Sequence, residues 1–195
     1  MTAVSARNLT LKEVHRLFGF QKQYDGSFSD LLSLETLTEP EKQELLKIRD
    51  DFEPYLAEGQ ALEGQIRIVV VAPLLRLAGF CFYNYPIQIK VENNIAPLDI
   101  QDEDISITGR SDIIAINKDK QTTTNVDFWI LVLETKPTLA STLAGLPQIL
   151  TYAYTSLKQQ KSVWGLVTNG LSYEFLYIQS GNPPSYLHLP ILNLF

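Results

Sequence analysis

The alternation of hydrophobic and polar residues predicts strands in the central part of the chain. Apolar and polar side chains alternate with a period of two over residues 86–92, which is typical of a half-buried strand. Residues 128–133 are apolar without alternation, as expected of a strand that is covered on both faces. Between them, an acidic loop at 99–104 precedes further strand sequence at 105–116, and the polar segment 117–127 predicts a hairpin connection.

The C-terminal third predicts a helix followed by a hairpin. Residues 147–157 are predicted to be helical, and residues 163–168 and 173–178 have the composition of strands. Asn169 and Gly170 lie between these strands, and their tolerance of positive φ suits a tight turn. We therefore expect the two strands to pair in antiparallel orientation.

Two helices are predicted in residues 38–79, after a short helix and a loop in residues 1–36. Thr38 and Glu41 have the spacing of a capping box, so a helix begins here. Apolar residues then recur at intervals of three and four between residues 62 and 77, which predicts a second helix that ends at Gly79. Pro73 is expected to kink or restart that helix, because proline lacks the backbone N–H that a helix needs.

The order of these elements indicates an α/β fold with one sheet and helices on both of its faces. A chain of 195 residues has the length of one large domain. Within it, we interpret residues 1–56 as an N-terminal helical extension and residues 57–195 as the core domain. We expect the two parts to form a single compact unit.

Charge restricts the classes of partner. The sequence has 16 Lys and Arg against 22 Asp and Glu, a net charge of −6, which argues against a protein that coats nucleic acid with a broadly basic surface. Of the 22 acidic residues, 12 lie in residues 1–64. Phosphate chemistry in a narrow cleft, or through a partner protein, therefore stays compatible with the composition.

The cysteine and histidine content and the hydropathy indicate the cellular setting. With one cysteine and two histidines, the sequence excludes an internal disulfide and a structural zinc site built from Cys and His. The single cysteine, Cys81, is expected to be a small buried hydrophobic residue. The longest uncharged apolar stretch, 68–75, is far shorter than the roughly 20 residues of a membrane span. We expect a cytoplasmic protein that does not enter the membrane.

Charged residues at the ends of two buried strands form the candidate site. Asp112 opens one strand and Glu134 closes the next, so an antiparallel hairpin brings both carboxylates to the same end of the sheet. Glu134 and Lys136 are two residues apart, so both point to one face of an extended strand. A surface ion-pair cluster at a sheet edge is the structural alternative. Neither His15 nor His188 is predicted to lie near these carboxylates, so both are expected to be structural or exposed.

This combination of side chains suits a metal ion. Carboxylates at the rim of an apolar strand are costly to desolvate, and a divalent cation offsets that cost. Mg²⁺ commonly binds one or two carboxylates together with a substrate phosphate, and a nearby lysine would orient the attacking water and offset charge on the phosphate. Asp112, Glu134 and Lys136 therefore indicate phosphodiester hydrolysis with Mg²⁺, or Mn²⁺ in its place, as cofactor.

The segments Gly109-Arg110-Ser111-Asp112 and Glu134-Thr135-Lys136 resemble the motif of the PD-(D/E)XK nuclease superfamily. Residues 63–80 are similar to the first helix of the nuclease domain at the N-terminus of type I restriction enzyme R subunits, in which a helical Glu joins the metal site. Gln148 and Tyr152 match the Gln-x-x-x-Tyr pattern of RecB-like members, and this spacing places both on one helix face.

Residues 163–170 also resemble the closing strand and turn of that R-subunit domain, so the resemblance covers roughly residues 57–179. It implies a three-layer α/β/α restriction-endonuclease-like core with a mixed central sheet, and Mg²⁺-dependent cleavage of DNA, alone or with a partner protein. It also implies roles for single residues, namely Asp112 and Glu134 as metal ligands with Glu63 as an auxiliary acid, Lys136 as the catalytic lysine, and Gln148, Tyr152 and Arg110 as substrate-binding residues.

Alternatives remain open for both residues and function. Glu58 is a second candidate for the helical acid, and Gln148 and Tyr152 have an alternative role in capping and packing their helix. The sequence contains no helicase motor, which follows this domain in R subunits. The acidic charge and the small size favour an alternative function, a catalytically inactive nuclease-like scaffold that acts as a protein-interaction or regulatory subunit of a restriction or DNA-rearrangement system. An active nuclease that takes its specificity from a partner or from a second copy, as a homodimer, is a third.

Overall fold

The protein has a mixed α/β fold in which helices flank a large, mostly antiparallel sheet, so the predicted α/β class is confirmed. The structure is a computed structural model that describes residues 1–24, 27–82, 86–121 and 127–195, without the side chains of residues 120, 121, 127 and 128. The helices are α1 (Leu11–Phe18), α2 (Phe28–Leu31), α3 (Glu39–Ala57), α4 (Glu63–Ile66), α5 (Ala72–Leu77) and α6 (Leu146–Leu157). The strands are β1 (Thr2–Ser5), β2 (Gln21–Gln23), β3 (Ile87–Asn94), β4 (Leu98–Ile100), β5 (Ile105–Thr108), β6 (Arg110–Gln121), β7 (Asp127–Thr135), β8 (Ser162–Thr168), β9 (Ser172–Gln179), β10 (Ser185–His188) and β11 (Leu192–Asn193).

The large sheet has the strand order β2-β10-β9-β8-β7-β6-β3, and β11 pairs with β9. It is mixed, because β7 pairs with β8 and β10 pairs with β2 in parallel, whereas the other neighbours are antiparallel. β6 and β7 form the first predicted hairpin, whose connecting residues 122–126 lie outside the described residues. β8 and β9 form the second, and Gly170 in its turn has the predicted positive φ, 86°.

The strand sequence predicted over residues 105–116 is present, but it is divided between two sheets, because β5 belongs to a second, three-stranded sheet with the order β1-β5-β4 and β6 belongs to the large one. The chain passes from the small sheet to the large one at Gly109, between β5 and β6. A Cβ here would lie 2.7 Å from Cε1 of Tyr152 and 3.1 Å from Cβ of Ala6, so the crossing requires the absence of a side chain. The acidic segment before β5 is also more ordered than predicted, because it contains β4 and a 3₁₀ turn at Gln101–Glu103.

Both helices predicted in residues 38–79 are present. α3 begins with the capping box, in which the backbone N–H of Thr38 donates to the Glu41 carboxylate at 2.7 Å and the Thr38 hydroxyl caps Glu41 N–H. The second helix consists of α4, a π-helical segment at Arg67–Val71, and α5. The β-branched run at residues 68–71 falls in the π-helical segment, just before Pro73, which lacks the backbone N–H that a regular helical turn uses. The expected kink near this proline thus takes the form of a π turn.

Hydrophobic clusters join helices to both faces of the large sheet. On one face, α1 and α6 pack against residues such as Ile114 and Val132. On the other face, α3 and the segment from α4 to α5 pack against residues such as Ile113 and Leu133. Neighbouring strand residues therefore alternate between the two clusters, as the pleat of a sheet requires.

Residues 1–56, expected as a helical extension, contribute strands as well as helices. β1 pairs in parallel with β5 of the small sheet, and β2 pairs in parallel with β10 of the large sheet. Val14 and Phe18 of α1 are buried in the cluster that also contains α6 residues. Asp25 and Gly26 lie outside the described residues. The division of the chain at residue 56 stays a prediction.

The prediction that Cys81 is buried is wrong. Cys81 is exposed in the turn that follows α5, and its neighbour Phe82 is itself 48% exposed. Within the described ranges, no helix combines the length and the apolar character that crossing a membrane requires.

Candidate active site

The hairpin of β6 and β7 places Asp112 and Glu134 side by side at one end of the large sheet. Ile113 pairs with Leu133, so the next pair along the ladder is Asp112 with Glu134. Oδ2 of Asp112 accepts the backbone N–H of Thr135 at 2.7 Å and also accepts its hydroxyl. Both carboxylates are buried, with Asp112 7% and Glu134 1% exposed. The predicted convergence is a direct result of the strand register.

Lys136 and Gln148 complete a buried polar cluster around Glu134. Nζ of Lys136 donates to Oε1 of Glu134 at 2.8 Å and to Oε1 of Gln148 at 2.6 Å. The amide nitrogen of Gln148 donates to the same Glu134 oxygen at 2.7 Å. The backbone N–H of Lys136 donates to the carbonyl of Thr168 at 2.8 Å, which extends the sheet ladder in spite of the following Pro137. The ammonium group of Lys136 is thus held at two points beside Glu134.

Tyr152 connects α6 to the start of β6. Nε2 of Gln148 contacts the hydroxyl of Tyr152 at 3.3 Å, so the two residues share a face of α6 as predicted. This hydroxyl donates to the backbone carbonyl of Arg110 at 3.2 Å. Burial raises the pKa of Tyr152 to about 12, so the phenol keeps the proton that it donates. The side chain of Arg110 is exposed and pairs with Glu92 at 3.3 Å, and its substrate-binding role stays a prediction.

The electrostatics of the site centre on Glu134. Burial raises the pKa of its carboxyl group to about 7, and the charge of Asp112 acts in the same direction, whereas Lys136 opposes both. Oε1 accepts from two donors, but Oε2 is buried without a hydrogen-bond partner among the residues that the structure describes. A buried carboxylate oxygen without a donor is unfavourable, so Oε2 of Glu134 can still bind a cation or a hydrogen-bond donor.

The residues present fit a divalent cation held by two carboxylates. The unpaired Oε2 of Glu134 and the adjacent carboxylate of Asp112 are hard oxygen ligands, which suit Mg²⁺. Across residues 1–24, 27–82, 86–121 and 127–195, no group of three or more His, Cys, Asp and Glu side chains is arranged to hold a metal ion. Water and substrate would therefore have to supply the other ligand positions, as is usual for Mg²⁺.

The segment of helix above the site brings an arginine to Asp112. Nη1 of Arg67 lies 3.4 Å from Oδ1 of Asp112 and 3.5 Å from Oε1 of Glu92. Glu63 is half-buried at the start of α4, one helical turn before Arg67, and the structure does not group it with the two carboxylates. Glu58 is exposed at the C-terminal end of α3. The role of Glu63 as an auxiliary acid stays a prediction.

The N-terminal segment adds a residue that the sequence interpretation missed. β1 runs parallel to β5 in register, so the 3₁₀ turn Ala6–Asn8 that follows β1 lies beside Gly109. Burial is the main reason for the raised pKa values of Glu134 and Tyr152, and the positive charge of Arg7 in this turn counteracts it at both groups. No local pattern could have linked Arg7 to the site, because their proximity depends on a pairing across about half of the chain.

The site is therefore assembled from separate parts of the chain. β6 supplies Asp112, β7 and the residue after it supply Glu134 and Lys136, and α6 supplies Gln148. A scan against models of known protein families found no match, and a search of the curated proteins found no match either. The resemblance to PD-(D/E)XK nucleases stays a prediction that rests on the order of these residues and on their geometry.

Proposed function

We propose that the protein is a metal-dependent nuclease of the PD-(D/E)XK type that hydrolyses phosphodiester bonds of DNA. The observation that carries the proposal is the buried cluster of Asp112, Glu134 and Lys136, in which one oxygen of Glu134 has no donor in the described part of the chain. The helices on both faces of the sheet support the finer proposal of a three-layer, restriction-endonuclease-like core. The parallel pair of β7 and β8 beside the β6–β7 hairpin also supports it.

Each side chain has a role that its contacts support. Asp112 and Glu134 would hold Mg²⁺, or Mn²⁺ in its place, and the bound ion would supply activation of water and stabilisation of the leaving oxygen. Lys136 would donate from Nζ to the attacking water or to a phosphate oxygen, since its two present partners fix that atom beside Glu134. Gln148 is a positioning residue, because it contacts both Lys136 and Glu134.

The structural alternative, a surface ion-pair cluster, does not describe this site. Lys136 is 7% exposed and Glu134 is 1% exposed, so the pair is buried. A buried ion pair contributes little net stability, because the cost of desolvating the charges offsets their attraction. Buried ionisable groups with raised pKa values are instead frequent in functional sites.

A specific observation also favours the second candidate function, an inactive nuclease-like scaffold that binds another protein. Both oxygens of Asp112 already have partners, because Oδ1 contacts Arg67 and Oδ2 accepts from Thr135. A carboxylate that is permanently paired with arginine would be a poor metal ligand. Calorimetry with Mg²⁺ separates the two functions, since a scaffold should show no binding that is lost in Asp112→Asn or Glu134→Gln.

The deciding experiment is a cleavage assay on single-stranded and double-stranded DNA with Mg²⁺ or Mn²⁺. We expect Lys136→Gln to reduce the rate by at least about 100-fold, because general acid–base and electrostatic contributions are of that size. Lys161→Gln removes the same charge at an exposed position and should leave the rate unchanged. Equal rates in the wild type and Lys136→Gln would overturn the proposal, as would the absence of metal-dependent cleavage in the wild type.

A further inference from the structure

A second buried carboxylate lies outside the candidate active site. Glu174 on β9 is 1% exposed, and each of its oxygens has its own donor. Oε1 accepts the hydroxyl of Thr142, and Oε2 lies 2.8 Å from Nε2 of His188. An ionised carboxylate can only accept hydrogen bonds, so Nε2 of His188 carries the hydrogen in this contact. Glu174 thereby fixes the tautomer and the orientation of the imidazole.

The imidazole of His188 lines a surface cavity of about 310 Å³. This cavity lies between the C-terminal ends of two parallel strands, β2 and β10, where Leu187 pairs with Gln23. Its polar lining comes from Lys22, Gln23, Tyr24 and His188. Nε2 of His188 is occupied by Glu174, so the ligating atom that the imidazole can offer to the cavity is Nδ1.

The described lining of the cavity is cationic. Lys22 is exposed, its Nζ lies 5.2 Å from the centre of the Tyr24 ring, and it forms no ion pair among the described residues. The charged form of His188 donates through both ring nitrogens, one to Glu174 and one to a ligand in the cavity. Lys22, Tyr24 and His188 thus line one cavity with side chains that can donate hydrogen bonds, and such a set suits an anion with several acceptor oxygens.

We propose that His188 and Lys22 form a binding site for a phosphate group, with Glu174 and Thr142 as positioning residues for the imidazole. The phosphate is either free or part of a nucleic-acid strand. Neither the resemblance to nucleases nor the candidate active site assigns a role to these residues, so this site stands apart from the proposed cleavage chemistry.

The position of the cavity is compatible with both sources of phosphate. Glu134 pairs with Val167, which pairs with Glu174, so the two carboxylates lie on the same face and at the same end of the sheet. β10 is three strands away from β7, which corresponds to about 14 Å at the usual strand spacing. If the proposed nuclease function holds, a bound strand would span this distance in about four nucleotides of a duplex.

Imidazole NMR signals test the site directly, because the chain has only two histidines. His188→Gln assigns the signals, and all titrations are done in EDTA so that cleavage has no part in the result. We expect the His188 signals to move with inorganic phosphate and with thymidine 5′-monophosphate, but not with thymidine or chloride. An oligothymidylate without terminal phosphates tests the strand as the source, and a response at lower concentration than that of free phosphate would assign the site to nucleic acid.

In the titration of the His188 signals with phosphate, Lys22→Gln should raise the phosphate concentration at the midpoint about tenfold. This change corresponds to the loss of one charge-assisted hydrogen bond. Lys12→Gln is the matched control, because Lys12 is an exposed lysine on α1 that does not line the cavity, and its midpoint should equal that of the wild type. Both variants change exposed side chains, so folding is preserved. The proposal is overturned if phosphate leaves His188 unmoved, if Lys22→Gln titrates like the wild type, or if chloride reproduces the response.

Discussion

The raised pKa of Glu134 predicts that the metal-free protein loses stability as pH rises towards neutrality. The carboxyl group has a pKa of about 7 in the folded protein, against an ordinary value of 4.5, because burial and the charge of Asp112 disfavour its ionised form. Between these two values the folded state holds a proton on Glu134 that the unfolded state has released. The free energy of unfolding therefore decreases with increasing pH in this window.

The magnitude follows from the two pKa values. The folded and ordinary pKa values differ by about 2.5, and about 1.36 kcal/mol for each pKa unit gives a penalty of about 3 kcal/mol. The penalty is absent below about pH 4.5, where both states are protonated, and it is complete above about pH 7, where both are ionised. It is a large fraction of the stability of a typical domain, so it is measurable by chemical denaturation.

The assay is urea denaturation in EDTA at several values between about pH 4.5 and pH 8, for the wild type and Glu134→Gln. The amide cannot ionise, so the difference in unfolding free energy between variant and wild type should increase by about 3 kcal/mol across this range. Only the pH dependence of the difference is used, so the carboxyl groups that do not interact with Glu134 cancel. Glu44→Gln, at an exposed position of α3, should run parallel to the wild type. A flat difference for Glu134→Gln would refute the reasoning.

Three further substitutions test packing, backbone and charge. Gly165→Ala should lower the free energy of unfolding by about 1–3 kcal/mol in urea titrations, because the added Cβ would lie 2.5 Å from Cγ2 of Ile149. An unchanged free energy of unfolding would contradict the close packing of Gly165 against Ile149. Gly64→Ala should instead raise the free energy of unfolding by about 0.5–1 kcal/mol. No described atom lies within 4 Å of the new Cβ in α4, and alanine favours a helix more than glycine does, so a loss of stability would contradict this prediction. If the proposed nuclease function holds, Arg7→Gln should weaken DNA binding in fluorescence anisotropy and lower the slope of log affinity against log salt by about the share of one phosphate contact, whereas the exposed Arg76→Gln should change neither. Equal behaviour of the two variants would remove Arg7 from the site.

Local patterns predicted the elements that local chemistry determines. The capping box at Thr38 and the turn at Gly170 each depend on a few neighbouring residues, and both are present in the structure. The convergence of Asp112 and Glu134 at one end of the sheet was also predictable, because an antiparallel hairpin places the start of one strand beside the end of the next. Hydrophobic periodicity indicates which face of a segment is buried, but not what covers that face. In the cap, the turn and the hairpin, the interacting residues are close in sequence, so the partner could be predicted as well.

The features that were missed depend on distant partners. The small sheet pairs Thr2 with Ile105, and the split at Gly109 follows from that pairing, which no window of local sequence contains. The pairing of Glu174 with His188 likewise requires β9 and β10 to be neighbours. A charged residue in a buried strand indicates that a polar partner is needed, but the tertiary fold decides which residue that partner is.

The π-helical segment at Arg67–Val71 sets the angular phase of the helix above the site. A π turn contains one residue more than a regular turn, and one residue corresponds to a rotation on the order of 100° about the helix axis. α4, which precedes the segment, is thus turned by that angle relative to α5, and α5 is anchored in the core through Leu75. Arg67 is the first residue of the π-helical segment, and its contact with Asp112 depends on this rotation. A regular α-helix of the same sequence would direct the guanidinium elsewhere.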